Sequence, residues 1–212
     1  MIKACIRLAV VGWLVAPAAG EVLITEIMYN PASSEKSPND VEWIEIYNTA
    51  DEPVDVAGWY LEDEDGRTDA IVDQTQIAGH EALVLICGTQ TVADFQAAWG
   101  GRYAIVSLPG FGRSGYFVLA NQPSPSNEIV TLRDADGNVV DEVNYDDEGD
   151  WPSDGPDGPS IYLRPDRISA AQNDQGSSWA RSAVGVDGGR GNTVTADFDG
   201  KDVGSPGTVV VE

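Results

Sequence analysis

The sequence has few basic residues and almost no cysteine or histidine. Its 212 residues include 12 Lys and Arg, one His and two Cys, against 35 Asp and Glu, so the net charge is −23. A chain this acidic repels the phosphates of nucleic acids, and no cluster of basic residues offsets the repulsion. Anionic lipid headgroups are repelled in the same way. The composition therefore predicts no nucleic-acid partner and a highly soluble protein.

The first 20 residues, MIKACIRLAVVGWLVAPAAG, have the pattern of a secretory signal peptide. Lys3 and Arg7 precede a short apolar run, and small residues follow it. The run is too short to cross a bilayer, which takes about 20 residues. We therefore expect cleavage before Glu21 and a protein that is secreted or held in the cell envelope. A single domain is expected over residues 21–212, with no membrane insertion after cleavage.

Cysteine and histidine are too scarce for several kinds of site. Cys5 leaves with the signal peptide, so Cys87 remains alone and no internal disulfide is expected. Cys87 lies in ALVLICG, which is typical of a buried strand, and we expect it to be a small core hydrophobe. His80 is the only histidine, and no GxSxG motif accompanies it, so no serine triad is predicted. One His and one Cys seven residues apart do not predict a zinc site.

Short apolar runs separated by Gly, Pro, Asn and Asp predict many β-strands. The predicted strands cover residues 21–30, 42–48, 54–63, 81–88, 115–121, 127–134, 139–146, 160–165 and 208–212. One short helix is predicted at about 91–99, with Thr91 as its N-cap. Strands and helices do not alternate, which favours an antiparallel β-sandwich. The Gly- and Asp-rich stretch at about 184–204 is predicted to be a long surface loop.

Several segments resemble the lamin-tail domain family. LITEIMYNP followed by EWIEIYNTADEPVDVAGWYLED resembles the opening of that domain. The hairpin NEIVTLRDADGNVVDEVNYDD and the segments DWPSDGPDGPSIYLRP, SSWARS and GSPG are similar to those of bacterial exported members. The sequence LPGFGRSGYFVLANQPSPS and the 184–204 loop depart from the family pattern.

The resemblance implies an all-β, immunoglobulin-like antiparallel β-sandwich. It also implies a non-enzymatic binding or scaffolding module, since the family has no shared active site. The expected partner is a protein or a surface polymer. No second domain is recognisable, and the sequence gives no indication of the oligomeric state.

Two glutamates, Glu42 and Glu45, lie inside the apolar run VEWIEIYN. Side chains alternate faces along a strand, so residues three apart point to opposite faces. The pair therefore cannot act together as acid and base, and a structural role is favoured. Glu26 is a candidate neighbour because the first two strands could pair. A hydrolase, the less favoured alternative, would require Glu26 to meet Glu45 or Glu42 in an open cleft.

Aromatic residues and glycines supply further candidates. Gly58 and Trp59 match the Gly-Trp position of the lamin-tail family, and Trp59 is predicted to be a core residue. Trp151 and Tyr162 lie among turn residues, where exposed rings would suit carbohydrate or peptide binding, but single exposed aromatics are common and this interpretation is not favoured. The motif GFGRSG at 110–115 fits the dinucleotide pattern GxGxxG in form only. A strand-like run follows it instead of a helix, so we predict a glycine loop.

Calcium is the only metal that the sequence suggests. Oxygen-rich loops occur at DEDG (63–66), DADGN (134–138) and DFDGKD (197–202), although none matches an EF-hand loop. Asp and Gly are also common turn residues. The last loop offers the most ligands, and its candidate calcium ligands are Asp197, Asp199 and Asp202. A calcium-dependent extracellular adhesion module is therefore the second functional hypothesis, and no other cofactor is predicted.

Overall fold

The computed structural model describes residues 22–35, 40–119 and 128–212, so the predicted signal peptide lies outside the described residues. The described residues form β-strands with one α-helix. In chain order the elements are β1 Val22–Met28, β2 Trp43–Asn48, β3 Val54–Asp55, β4 Tyr60–Glu62, β5 Gln76–Ile77, β6 Ala82–Cys87, α1 Val92–Trp99, β7 Ala104–Leu108, β8 Glu128–Arg133, β9 Val139–Tyr145, β10 Ile161–Leu163, β11 Trp179–Arg181, β12 Arg190–Gly191 and β13 Val203–Gly204. Short 3-10 helices span Ala32–Glu35, Pro165–Arg167 and Gly176–Ser178.

Two sheets form the predicted immunoglobulin-like β-sandwich. The larger sheet has six strands in the order β11-β10-β1-β2-β6-β7, and the smaller has the order β4-β8-β9. Two further pairs, β3 with β5 and β12 with β13, complete the strands. One pair departs from the antiparallel pattern: β6 and β7 are parallel. Helix α1 makes the crossover between them, as a parallel connection requires.

The central strands of the larger sheet are buried on both faces. Every residue of β1, β2 and β6 is buried. One face packs on the smaller sheet and forms the main core, which includes Ile44, Leu85, Leu132 and Trp59. Trp59 is 3% exposed, which confirms its predicted core position.

A second core covers the opposite face of the larger sheet beneath α1. The Thr91 hydroxyl accepts a hydrogen bond from the Asp94 backbone N–H at 3.1 Å, which confirms the predicted helix start. Phe95 and Trp99 of the helix pack edge-on against Trp43 of β2, with ring centroids 6.1 and 5.7 Å apart. The helix therefore buries an aromatic face against the sheet.

The 184–204 loop packs closely against this second core. Phe198 is 1% exposed, and its ring centroid lies 5.8 Å from that of Phe95. The Thr193 backbone N–H donates to the Ala98 carbonyl at 2.8 Å. The loop also contains β12, which pairs with β13. The stretch predicted as a surface excursion therefore covers part of the protein interior.

Several predicted strands end differently in the structure. The 54–63 run is divided into β3 and β4 by a turn at Gly58, whose φ is +83°. Residues 115–119, the described part of the 115–121 run, form only an isolated bridge at Phe117. Residues 208–212 form no strand. Strands such as β5, β7 and β11 were not predicted because two to five residues give little periodic signal.

Candidate functional site

Glu26 and Glu45 are direct neighbours, as the sequence suggested. The register of β1 and β2 places Glu26 opposite Glu45, and each residue is 1% exposed. An irregularity between Ile24 and Glu26 shifts the register by one residue at Thr25. This β-bulge places both carboxyls on the face of the sheet that carries the second core.

The carboxyl of Glu26 is surrounded by three serines. It accepts hydrogen bonds from the Ser205 backbone N–H at 2.8 Å and from the Ser205 hydroxyl at 2.6 Å. The hydroxyls of Ser160 and Ser182 also donate to it. Ser160 directly precedes β10, Ser182 directly follows β11, and Ser205 directly follows β13. The carboxyl therefore ties the C-terminal segment to the sheet.

The carboxyl of Glu45 also binds the C-terminal segment, at a position two residues after Ser205. Its carboxyl accepts hydrogen bonds from the Gly207 backbone N–H at 2.6 Å and from the Thr25 hydroxyl at 2.9 Å. Gly207 is necessary here because a Cβ atom at this position would lie 2.1 Å from Cγ of Tyr103. The segment after β13 can therefore approach the pair only with glycine at 207.

Burial changes the acidity of this pair. It raises the pKa of Glu26, and burial together with the charge of Glu26 raises the pKa of Glu45 to about 8. Glu45 therefore holds a proton at neutral pH. The adjoining cavity, lined in part by Tyr162 and Thr208, has a volume of about 10 Å³, which suits about one water molecule. The hydrolase alternative requires the two carboxyls to meet in an open cleft. The pair does not lie in such a cleft.

A second group of titratable side chains has converging ligand atoms. Carboxylate oxygens of Asp40 and Glu42 and the Sγ atom of Cys87 all lie within 4.8 Å of one another. The β2–β6 register pairs Trp43 with Ile86, so residue 42 comes opposite residue 87. The sequence analysis missed this group because it depends on the register of two strands far apart in the chain.

The group around Cys87 is buried and acidic. Cys87 is not exposed and belongs to the main core, as predicted, and its thiol donates to the Glu42 carbonyl at 3.3 Å. Burial, then the charges of Asp40 and Glu42, raises the pKa of the thiol well above its ordinary value. Burial, then the charges of Asp40 and Glu128, likewise raises the pKa of Glu42. Glu128 is 7% exposed, and burial followed by the charges of the 63–65 turn raises its pKa to about 8.

The glycine loop and the neighbouring turn present two arginine–tyrosine pairs, which we call the Arg–Tyr surface. Cζ of Arg67 lies 5.0 Å from the ring centroid of Tyr60, and Cζ of Arg113 lies 4.7 Å from that of Tyr116. The two pairs are adjacent because Gly66 packs on the Tyr116 backbone. A Cβ atom at Gly66 would lie only 2.1 Å from the Tyr116 carbonyl oxygen. As predicted, GFGRSG is a loop, and its three glycines have positive φ.

The candidate calcium ligands are only partly brought together. Asp202, which is not exposed, accepts hydrogen bonds from the Ser33 hydroxyl and from the Ser33 backbone N–H, the latter at 3.2 Å. The Asp199 carboxylate lies 3.1 Å from the same hydroxyl, and the Asp199 backbone N–H donates to that hydroxyl at 3.0 Å. The Lys201 ammonium lies 2.7 Å from the Asp199 carboxylate. Asp197 lies near the helix, where its backbone N–H donates to the Asp94 carboxylate at 3.3 Å. The calcium site stays a prediction.

The remaining candidates have ordinary structural positions. Tyr162 is 8% exposed on β10, and its hydroxyl donates to Asp187 at 2.6 Å, so its ring is not open for the ligand stacking that the less favoured interpretation requires. Trp151 is half-buried, with its ring 5.9 Å from that of Trp179. His80 lies in the predicted turn, and its Nε2 is 2.8 Å from the Asp51 carboxylate.

These features define an immunoglobulin-like β-sandwich whose buried pair of acids is used for packing. The sequence model of one family, described as Lamin Tail Domain, matches residues 15–147. Because the match covers more than half of the chain, the protein belongs to the lamin-tail domain family, a non-catalytic class of immunoglobulin-like domains. The match ends before β10, so it does not include the closing segments. A comparison with curated proteins found no match. None of the described helices is both long and apolar enough to span a bilayer.

Proposed function

We propose that this chain is an exported, non-enzymatic lamin-tail module that binds a protein or a surface polymer. Family membership supports a binding role, and the signal-like segment 1–20 supports export to the cell envelope or the medium. The observation that carries the proposal is the Arg–Tyr surface. Three of its four residues lie on loops of a rigid sandwich, where binding residues commonly occur, and Tyr60 begins β4.

The composition of this surface resembles that of protein interfaces. Tyrosine and arginine are enriched among the residues that contribute most to binding. Arg67 and Arg113 form no ion pair with any carboxylate of the described residues, although the chain has 35 acidic residues. Each guanidinium lies over a tyrosine ring instead, with its N–H donors available. Because an arginine covers one face of each ring, the surface suits a protein better than a sugar that stacks on open rings.

Site-specific crosslinking tests the proposal. A photoreactive residue would replace Tyr116, which is 41% exposed, in the full chain expressed in its own cells. The control position is Val184, which is 70% exposed and lies outside the Arg–Tyr surface. We expect one crosslinked species from position 116 and none from position 184. Equal labelling at both positions, or none at either, would contradict the proposal.

Substitution of the arginines then measures their contribution. The double variant R67A/R113A should bind the crosslinked partner at least about tenfold more weakly, because hot-spot residues contribute about 2 kcal/mol or more. The matched control R102A/R164A removes two exposed arginines elsewhere and should bind as the unmodified chain does. Fractionation of the same cells tests export: the chain should be found outside the cytoplasm and should begin at or near Glu21.

A further inference from the structure

Among the described residues, no positive side chain balances the acids beside Cys87, of which Glu42 is buried and Asp40 is half-buried. Four salt bridges occur among the described residues, and none involves Asp40, Glu42 or Glu128. Glu42 and Glu128 are each 7% exposed. Burying unpaired carboxylates is costly, so proteins neutralise them with protons, basic side chains or metal ions. The described part of the chain provides no basic side chain here.

Glu128 provides a second, independent indication of a ligand. Glu128 as a residue is 7% exposed, and no hydrogen-bond donor to its carboxyl occurs among the described residues. Its charge raises the pKa of both Glu42 and Tyr145, so it lies near the cluster. By contrast, Glu42 accepts a hydrogen bond from the Leu119 backbone N–H at 3.1 Å. A carboxyl that has no donor among the described residues can coordinate an additional cation.

We infer that Asp40, Glu42 and Cys87 bind a divalent cation of the zinc type. Their ligand atoms already lie within 4.8 Å of one another. Zinc binds thiolate and carboxylate ligands in tetrahedral sites, in which donor atoms are separated by roughly 3.5 Å. Only a small movement is therefore needed. A sulfur ligand favours zinc over calcium or magnesium, which prefer oxygen ligands alone. Glu128 or a water molecule would supply the fourth ligand.

The cation would also fix the loop that presents Arg113. Gly112 packs directly on the cluster, and a Cβ atom there would lie 2.6 Å from Sγ of Cys87 and 2.8 Å from Cβ of Asp40. Metal binding would therefore restrain the glycine loop through the contact of Gly112 with Cys87 and Asp40. The inference does not depend on the proposed function, because metal binding and partner binding are measured separately.

Cobalt provides the most direct test, because a cobalt–thiolate bond gives a charge-transfer absorption band that carboxylates do not give. The full chain would be treated with a chelator and titrated first with Zn²⁺ by calorimetry and then with Co²⁺ by absorption. We expect one equivalent of each metal, release of at least one proton as Cys87 loses its thiol hydrogen, and the thiolate band. The spectrum requires no variant, so it remains decisive even if a substitution prevents folding.

Variants then assign the ligands. C87S should lose the thiolate band, and D40N and E42Q should each weaken Zn²⁺ binding at least tenfold. The control E52Q removes an exposed carboxylate outside the cluster and should leave the affinity unchanged. Circular dichroism would show that each variant is folded. A cobalt complex without the thiolate band, or equal Zn²⁺ affinities for E42Q and E52Q, would overturn the inference. Loss of Zn²⁺ binding with intact crosslinking at position 116 would leave the proposed function standing.

Discussion

Glu26 and Glu45 face each other across β1 and β2, and each is only 1% exposed. Their carboxyls bind the backbone N–H groups of Ser205 and Gly207, which follow β13. Two acids that would suit catalysis in an open cleft therefore attach the C-terminal segment to the sheet. Removing either carboxyl should weaken the attachment of the C-terminal segment to the larger sheet.

The unfolding free energy should decrease as the pH rises from about 5 to about 8. Glu45 has a pKa of about 8 in the folded chain, whereas an unperturbed glutamate has a pKa of about 4.3. The folded state thus holds a proton that the unfolded state releases, and stability falls with pH across this interval. Denaturant unfolding at a series of pH values would measure the decrease.

The variant E45Q isolates the contribution of this carboxyl. The glutamine amide can donate to the Thr25 hydroxyl while its oxygen still accepts from Gly207, so the variant should fold. Its stability should fall less steeply with pH, by as much as about 1.4 kcal/mol per pH unit. The exposed variant E52Q should keep the slope of the unmodified chain. Identical slopes for E45Q and E52Q would show that Glu45 does not titrate in this interval.

Local sequence signals predicted a large part of the fold. The N-cap Thr91 and the β8–β9 hairpin depend on neighbours within a few residues, whereas the core position of Trp59 was predicted from the family resemblance. The pairing of Glu26 with Glu45 could be anticipated because β1 and β2 are successive strands. A short stretch of sequence contains most of the interactions that determine such features.

Long-range packing was much less predictable. Cys87 meets Glu42 only through the β2–β6 register, and Phe198 covers the second core from a segment that resembles a polar loop in sequence. Residues 160–165 were predicted as a strand, but the burial of Tyr162 in the three-residue strand β10 depends on pairing with β1, which the local sequence does not show. In each case the environment comes from residues far away in the chain.

Replacing Gly207 by alanine should be strongly destabilising. The φ of Gly207 is +75°, and an added Cβ would lie 2.1 Å from the Tyr103 ring. Strain at positive φ and overpacking together predict a loss of about 2–4 kcal/mol. Gly185 is a matched control because its φ is +82° and no heavy atom lies within 4 Å of the added Cβ. G185A should cost only about 1–2 kcal/mol. Equal losses in the two variants would show that the Tyr103 contact is unimportant.

Ser33 should be essential for holding the 184–204 loop in place. Its hydroxyl donates to the Asp202 carboxylate and also lies 3.1 Å from the Asp199 carboxylate, while Asp202 is not exposed. S33A leaves a buried carboxylate short of a donor, which predicts a loss of about 1–3 kcal/mol. The control S177A alters an exposed serine and should change stability by less than about 0.5 kcal/mol. Protease digestion should cut residues 184–204 faster in S33A than in S177A. Equal cleavage rates in the two variants would show that Ser33 does not hold the 184–204 loop in place.

Lys201 should compete with calcium if calcium binds at Asp197, Asp199 and Asp202. Its ammonium lies 2.7 Å from the Asp199 carboxylate, where the ion would have to bind. The variant K201M removes this charge, and because the Lys201 side chain is 69% exposed the variant should have little effect on stability without calcium. In calcium the melting temperature should rise more for K201M than for the unmodified chain, since an ion that binds only the folded state stabilises it. Magnesium at matched ionic strength is the control, and D199N should remove the difference. If K201M and the unmodified chain respond equally, or magnesium acts as calcium does, these three aspartates are not a calcium site and serve to anchor the loop.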